Sequence, residues 1–307
     1  MILCCGEALI DMLPRRAEDG ATAFVPHRGG AVYNTAIALG RLGSEVAFLS
    51  GVSTDFFGAM LEAGLAESRV ATSHLVRSAR PTTLAFVALA DGQAKYVFYD
   101  ENSAGRMVAE ADLPAIGPEV KALHFSCISL VAEPSGSTYE ALARREAQSR
   151  VVMLDPNIRR GFIADELAHK ARMRRMRALA DIVKLSDEDL AWFGEDGSDE
   201  EIARRWLAEG PSVVVITHGA KGARAFARDA AADVAGRRVE VVDTVGAGDT
   251  FNAGMLHHLD RAGLLSKPAL AAITRDQLAA MLDTAARAAA VTVSRAGANP
   301  PWAHELG

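Results

Sequence analysis

The sequence predicts an α/β protein built on a mostly parallel sheet, and three observations lead to this prediction. Apolar, strand-like runs alternate along the chain with longer stretches of helical spacing, as in βαβ units. Glycines and polar residues directly follow several of these runs, at the strand ends where open α/β sheets bind ligands. From residue 82 to 99 the alternation stops, and two short runs around Asp91-Gly92 predict a β-hairpin.

Composition restricts the class of protein further. The chain has 307 residues, of which 50% are hydrophobic, with a formal net charge of −6 and a pI near 5.8. An acidic protein lacks the excess of positive surface charge that binds nucleic acid without sequence preference. We therefore expect a small-molecule partner. We expect neither a signal peptide nor a membrane span. The three cysteines lack paired metal-ligand spacing, and we expect reduced thiols in a cytoplasmic protein.

The N-terminal part of the chain supplies the first candidate binding residues. A buried strand is predicted from Met1 to Ile10, which places Asp11 at its carboxyl end, where an aspartate suits either a ligand site or a turn. The Gly29-Gly30 pair allows a close approach of backbone to ligand, and it precedes a helix of small residues that contains Asn34.

Further elements follow in the same alternating order. The loop Asp155 to Arg159 carries polar residues from the end of one strand, because Pro156 stops that strand. Aromatic residues of the hairpin, Tyr96 and Tyr99 among them, suit either a pocket wall or packing alone. The remaining predicted strands cover residues 46–52, 121–128, 151–154, 182–186 and 213–217, and the helices cover about 59–68, 164–180 and 279–293.

The stretch from Val242 to Gly254 carries the strongest chemical signal. Arg238 to Val242 predicts a strand and Thr250 to Leu259 a helix, with the turn at Val245–Gly248 between them. Glycines at a helix start attract anions, so an ionised Asp249 there would repel phosphate unless a base is needed. The alternative interpretation is an ordinary glycine turn, followed by a helix charge worth a few tenths of a kcal/mol.

The complete string from Asp243 to Asp249 resembles the phosphoryl-transfer motif of the ribokinase-like (PfkB) carbohydrate kinases, and the string from Gly29 to Gly43 resembles the family's other characteristic motif. The resemblance implies a three-layer αβα fold with a mostly parallel central sheet and a small β-sheet lid. It also implies a single kinase domain over residues 1–307, with lid segments at about 13–28 and 82–107. Because this lid often mediates dimerisation in the family, a homodimer through it is expected.

The resemblance also assigns roles to residues. It implies ATP-dependent phosphorylation of a sugar hydroxyl, in which Asp249 accepts the proton and the turn amides hold the phosphoryl group. It implies Mg2+ on the ATP oxygens and a K+ ion near the turn. The implied phosphoryl contacts are Gly246, Ala247 and Gly248; the sugar contacts are Asp11, Gly29, Gly30, Asn34, Tyr99 and Arg159; the nucleotide contacts are Ser186, Thr217, Gly219, Gly222 and Asn299; the metal contacts are Glu188, Asp189, Asp243 and Val245.

The acceptor is less strongly specified. The segments 155–159, 186–189 and 295–301 look most like those of fructokinase-like members, so fructose is the expected acceptor. Many family members carry Asn-x-x-Glu where this chain has Ser186 and Asp189, which leaves open which carboxylate acts on the metal. In the rival 2-keto-3-deoxygluconate kinases an arginine usually follows the lid tyrosine, whereas Asp100 here would repel an acidic sugar. Ribokinase or nucleoside kinase activity stays open.

Two readings from other classes of protein are weaker. A dinucleotide-binding oxidoreductase would need a glycine at residue 251, where Phe251 stands. A catalytically silent sugar-binding regulator would not need the carboxylate of Asp249. Both alternatives therefore fit the sequence less well than a sugar kinase.

Overall fold

A computed structural model describes residues 1–90 and 93–306, without the side chains of residues 87–90 and 93–96. The hairpin turn predicted at Asp91-Gly92 and the side chain of Tyr96 therefore lie outside the described part of the chain. The strands are β1 (Ile2–Cys5), β2 (Leu9–Arg16), β3 (Thr22–Gly29), β4 (Val46–Leu49), β5 (Gly51–Ser53), β6 (Val76–Ser78), β7 (Leu84–Ala90), β8 (Gln93–Tyr99), β9 (Ala122–Ser126), β10 (Val151–Asp155), β11 (Ile182–Ser186), β12 (Val213–Thr217), β13 (Gly222–Ala227) and β14 (Ala231–Ala235).

The helices match most of the predicted helical segments to within a few residues. Their bounds are α1 (Ala31–Arg41), α2 (Phe56–Glu67), α3 (Ser135–Glu146), α4 (Glu166–Leu179), α5 (Asp187–Phe193), α6 (Asp199–Leu207), α7 (Ala247–Arg261), α8 (Lys267–Ala271) and α9 (Arg275–Val293). No helix in residues 1–90 and 93–306 combines the length and apolarity needed to span a bilayer.

The larger sheet has eight strands in the order β14-β13-β12-β11-β10-β9-β1-β4. Neighbouring strands among β12, β11, β10, β9, β1 and β4 pair in parallel, whereas β13 and β14 extend the sheet as antiparallel strands. Because a parallel sheet is covered on both faces, its strands are apolar throughout. In β1, Ile2 and Cys4 face one hydrophobic core with α1, α7 and α9, while Leu3 and Cys5 face the other with α3, α4 and α6. The predicted three-layer αβα architecture is confirmed.

A second, smaller sheet has the order β3-β2-β7-β8. Its strands overlap the two segments predicted for a lid, and β2 pairs antiparallel with β3 and in parallel with β7. The single strand predicted from Met1 to Ile10 is wrong, because β1 ends at Cys5 and β2 starts in the smaller sheet at Leu9. Gly6 lies at this break, where a Cβ atom would be 2.5 Å from Cγ2 of Val32. Asp11 therefore lies within β2 and not at the end of a central strand.

Two further strand predictions need correction. Residues 46–52 form two short strands, and the second, β5, pairs with β6 in a separate two-stranded sheet. Residues 238–242 form no strand, and Val241 and Val242 are about 60% exposed. The edge strand is instead the alanine-rich β14, which pairs with β13. β-branched residues favour a strand only where a neighbouring strand offers a pairing partner.

Candidate active site

The turn before α7 presents an open helix start. Its N-cap residue, Gly246, adopts a left-handed conformation with φ of 76°, which favours glycine, and no side chain caps the helix. A Cβ atom on Gly246 would lie 2.7 Å from Cβ of Ala298. The Ala247 N–H donates a long bond of 3.3 Å to the Thr244 carbonyl. Uncapped first-turn amides attract anions, so this end of α7 suits a phosphate group.

Asp243 holds this turn against the C-terminal segment. Its Oδ1 accepts a hydrogen bond from the Val245 N–H at 3.0 Å, and its Oδ2 accepts one from the Gly297 N–H at 2.9 Å. The carboxylate thus joins two loops that are far apart in sequence. The role predicted for Asp243 and Val245 as cation ligands stays a prediction.

Asp249 lies in the first turn of α7 and is 7% exposed. Its Oδ2 accepts a hydrogen bond of 2.9 Å from Asn34 Nδ2, and its backbone carbonyl accepts one of 3.2 Å from Thr35 Oγ1. Burial raises the pKa of Asp249 to about 7, while the Asn34 hydrogen bond and the charges of Lys184 and Arg159 act in the opposite direction. A carboxyl group that titrates near neutrality suits a general base.

The residues predicted to hold a sugar gather beside α1. A Cβ atom on Gly29 would lie 2.1 Å from Oδ2 of Asp11, so glycine at this position leaves room for that carboxylate. Burial raises the pKa of Asp11 to about 6. Gly30 has φ of 110°, and a Cβ atom on it would lie 2.7 Å from the Glu7 carbonyl oxygen. Asp11, Gly29 and Asn34 line a cavity of about 330 Å³ together with residues of the C-terminal segment.

Glu7 is a buried acidic residue that the sequence interpretation missed. Its Oε1 accepts hydrogen bonds from the N–H groups of Ala31 at 2.8 Å and Val32 at 3.4 Å, so it caps α1 from 24 residues away. Burial raises the pKa of Glu7. Its position just beyond β1 was the available signal, since polar residues after a central strand face the ligand side of such a sheet.

A second missed group lies next to the turn before α7. Lys184 of β11 donates to Oδ2 of Asp155 at 3.0 Å, and Asn252 Nδ2 donates to the same oxygen at 2.7 Å. All three side chains are buried. Arg159, in the loop after β10, is exposed but lies near Asp155, Asp189 and Asp249, whose charges outweigh its desolvation and raise its pKa.

The predicted N-cap role of Ser186 is confirmed, because its Oγ accepts from the Asp189 N–H at 3.0 Å. Asp189 Oδ2 accepts in return from the Ser186 N–H, and its Oδ1 accepts from the Ile158 N–H at 2.7 Å. Because both oxygens of Asp189 accept hydrogen bonds from backbone N–H groups, this buried carboxylate holds two loops together. Glu188 is exposed beside it.

The predicted nucleotide residues lie at the ends of neighbouring strands. Ser186 and Thr217 are register partners of β11 and β12. Gly219 has φ of 54° and open space around it, whereas a Cβ atom on Gly222 would lie 1.9 Å from the Val234 carbonyl oxygen. Gly222 is thus required by the close approach of β14 whether or not a ligand binds.

Two predicted site residues, Tyr99 and Asn299, have structural contacts of their own, and Asn299 lines the same cavity as Asp11 and Asn34. Tyr99 is 61% exposed and packs edge-to-face on Phe86, with ring centroids 5.6 Å apart, on the outer face of the smaller sheet. Asn299 Oδ1 accepts a hydrogen bond of 2.7 Å from Arg41 Nη1 in the C-terminal segment. Among the described side chains of β8, Phe98 faces inward, and its ring centroid lies 4.1 Å from that of Phe162.

Phe98 lines a larger cavity of about 610 Å³ on the inner side of the smaller sheet, together with Glu7 and Ser129. Asp100 lies at its edge and forms an ion pair of 3.1 Å with Arg106 Nη1. The positive charge of Arg106 partly offsets the negative charge of Asp100. Asp100 should therefore repel an acidic sugar less strongly than the sequence alone predicts.

Comparison with known proteins agrees with these observations. The sequence profile described as pfkB family carbohydrate kinase matches residues 1–305. A fructokinase of Rhizobium leguminosarum bv. trifolii is 54% identical over 278 residues, which cover 91% of this chain and 85% of that protein. The crystal structure of a Xylella fastidiosa fructokinase with bound ATP has a TM-score of 0.87 and 29% identity, covering 99% of this chain and 97% of that one.

A Vibrio cholerae O395 fructokinase, solved with fructose, ADP and a calcium ion, has a TM-score of 0.81 and 28% identity. The match covers 97% of this chain and 94% of that one. The ribokinase-like αβα fold expected from the sequence is therefore confirmed at the level of the whole chain.

Proposed function

Because the chain belongs to the pfkB family of carbohydrate kinases, we propose that it transfers the γ-phosphoryl group of ATP to a hydroxyl group of fructose. The observation that carries this proposal is the hydrogen bond between Asn34 and Asp249. This bond joins α1, which follows the glycine pair in the chain, to α7, which follows the phosphate-binding turn. A sugar held beside Asp11 and Gly29 would present a hydroxyl group to Asp249.

The proposed reaction assigns one task to each group. Asp249 accepts the proton of the attacking hydroxyl as its oxygen bonds to the γ-phosphorus. The bond from that phosphorus to the bridging oxygen breaks, and ADP leaves. The backbone amides of Gly246, Ala247 and Gly248 hold the phosphoryl oxygens, where fixed dipoles stabilise developing charge without reorganisation. Asn34 orients the base through its hydrogen bond.

ATP is proposed to lie along the ends of β11 and β12, where Ser186, Thr217 and Gly219 meet. Support comes from the Xylella fructokinase structure, which holds ATP on the same fold. Arg159 lies near Asp249 and is proposed to contact the sugar. Gly30, Gly222, Tyr99 and Asn299 have structural surroundings that account for them, so their ligand roles rest on the family resemblance.

A divalent cation is proposed to accompany ATP. In the described residues, no group of three or more acidic, histidine or cysteine side chains is arranged to hold a metal alone. This fits Mg2+, which usually keeps several waters and binds phosphate oxygens with one or two carboxylates. Glu188 is an exposed carboxylate at the start of α5 that would hold it, directly or through water. When bound, the cation would neutralise charge on the ATP oxygens.

A K+ ion is proposed near Asp243 and the Val245 carbonyl, where the turn meets the C-terminal segment. Fructokinase structures with calcium and with potassium support metal ions in this family.

The exposed aromatic face of the smaller sheet is proposed to form a homodimer interface. The whole chain is proposed to act as one kinase domain.

The three described cysteines are free and buried, which supports a cytoplasmic setting.

A coupled assay for ADP release tests the function. It should compare fructose, ribose, 2-keto-3-deoxygluconate, nucleosides and phosphorylated sugars at equal concentration. We expect the highest kcat/KM with fructose. A higher kcat/KM with 2-keto-3-deoxygluconate would show that the acidic sugar, and not fructose, is the acceptor. If no compound in the set is phosphorylated, the proposed kinase activity is wrong.

A further inference from the structure

One buried cation in the site has no task in the reaction described above. Lys184 is only 4% exposed, and its ammonium group donates to Asp155 Oδ2 at 3.0 Å. Asp155 is 1% exposed and also accepts from Asn252 Nδ2, which comes from α7. Asp155 is therefore held from two sides, by Lys184 of β11 and by Asn252 of α7, and it fixes the ammonium group in turn.

The ammonium group lies directly against that turn. A Cβ atom built on Gly248 would be 3.2 Å from Lys184 Nζ, which is closer than most real contacts of a Cβ atom. Of the three N–H donors on Nζ, the described residues provide an acceptor for one, on Asp155. Lys184 thus brings a positive charge and spare donors to the position where the turn amides are proposed to hold the phosphoryl group.

The surrounding charges keep this lysine protonated. Burial alone would lower its pKa, but the charge of Asp155, its hydrogen bond and the charges of Asp189 and Asp249 raise the pKa of Lys184 instead. His124 also interacts with Lys184: burial and the charge of Lys184 lower its pKa to about 3, so it is neutral. A buried lysine that serves only to pair with one aspartate would be weak support for stability, since desolvation offsets the attraction.

We propose that Lys184 is a positioning residue of phosphoryl transfer. Its ammonium group, held next to Gly248 by Asp155, which Asn252 anchors in turn, supplies positive charge behind the amides that receive the phosphoryl group. This inference rests on the proposed function. It also fits glycine at position 248, because a side chain there would crowd the ammonium group. A fixed charge in a site shielded from water stabilises the transition state without reorganisation.

The test compares three variants. Lys184→Met removes the charge and keeps a long side chain. Lys184→Met/Asp155→Asn removes both buried charges and leaves no unpaired ion, so it protects the experiment against a folding defect. Lys267→Met is the control, because Lys267 donates to both oxygens of Asp181 at 2.8 and 2.7 Å, in an ion pair outside the proposed site. Thermal unfolding, kcat and the KM values for sugar and ATP are measured for each variant.

We expect both Lys184 variants to lose about 10- to 100-fold in kcat while the KM for sugar changes by less than about threefold. Lys267→Met should keep the wild-type kcat. Recovery of kcat to within about threefold of wild type in the double variant would overturn the inference, because Lys184 would then serve only to balance Asp155. Failure of the proposed function would appear differently, as a wild-type protein that phosphorylates no sugar.

Discussion

At the scale of single residues, Asp249 is the group on which the proposed chemistry depends. It is buried, yet within the described part of the chain its carboxylate accepts a hydrogen bond only from Asn34, a neutral donor. This environment removes water from the carboxyl group without pairing it to a cation at hydrogen-bond distance. A base prepared in this way can accept a proton near neutral pH.

Asp249→Asn should lower kcat by about 10²-fold or more, because an amide cannot accept the proton. The amide has nearly the same shape, so ATP binding measured by calorimetry should change little. Asp260→Asn, near the other end of α7, is the matched control and should keep wild-type turnover. Near-normal turnover of Asp249→Asn would exclude this residue as the base.

The pH dependence of kcat/KM follows from the raised pKa of Asp249. The ionised base is the active form, so kcat/KM should rise with pH and reach half its maximum near pH 7. The Asn34 hydrogen bond lowers this pKa, and Asn34→Ala should therefore move the half-maximum to higher pH. A wild-type kcat/KM that has already reached its maximum by about pH 5 would contradict a buried base with a raised pKa.

Sequence reasoning identified Asp249 and Asn34 because each belongs to a characteristic string. It missed Lys184 and Glu7 because a single charged residue in or after an apolar run carries no spacing of its own. Their importance depends on what folds against them, namely Asp155 and Asn252 for Lys184 and the start of α1 for Glu7.

At the scale of secondary-structure elements, α1 has an unusual N-terminus. Gly30 is its N-cap and makes no side-chain cap hydrogen bond, while Glu7 accepts from the first two helical N–H groups. Glu7→Ala should lower the free energy of unfolding by about 1–2 kcal/mol, because it leaves buried donors without an acceptor.

Urea unfolding followed by circular dichroism measures this loss. Glu7→Gln keeps an acceptor oxygen and should retain most of the stability, which makes it the matched control. If Glu7→Ala were as stable as the wild type, α1 would not depend on this cap.

The elements also show which parts of the fold a single sequence specifies. Helical spacing located α4, α7 and α9 well, because their period differs from that of a strand. The first strand was predicted as continuous from Met1 to Ile10, since an apolar run does not reveal that the chain changes sheets at Gly6. The alanine-rich β14 has weak strand propensity and depends on pairing with β13.

At the scale of the whole molecule, the smaller sheet has an apolar outer face. Phe24 and Tyr99 are 40% and 61% exposed, and both pack edge-to-face on Phe86. Exposed aromatic patches of this kind mark association surfaces. Tyr99→Lys should therefore convert the proposed dimer into a monomer, because it places a charge in the proposed apolar interface.

Light scattering coupled to size-exclusion chromatography measures the mass in solution. Leu167→Lys is the control, because Leu167 of α4 is 82% exposed and lies outside this face. A wild-type monomer, or a dimer that persists in Tyr99→Lys, would show that this face is not the interface.

The bond between Asn34 and Asp249 also has a consequence for biosynthesis. These residues are 215 positions apart, and α1 shares its hydrophobic core with α7 and α9. A ribosome therefore delivers the proposed sugar-binding side of the site long before the proposed phosphate-binding side. Until α7 emerges, the nascent chain has no carboxylate of Asp249 beside Asn34 and leaves the apolar side of α1 uncovered. Such intermediates are prone to aggregate, so late translation is the stage at which we expect the chain to depend most on chaperones.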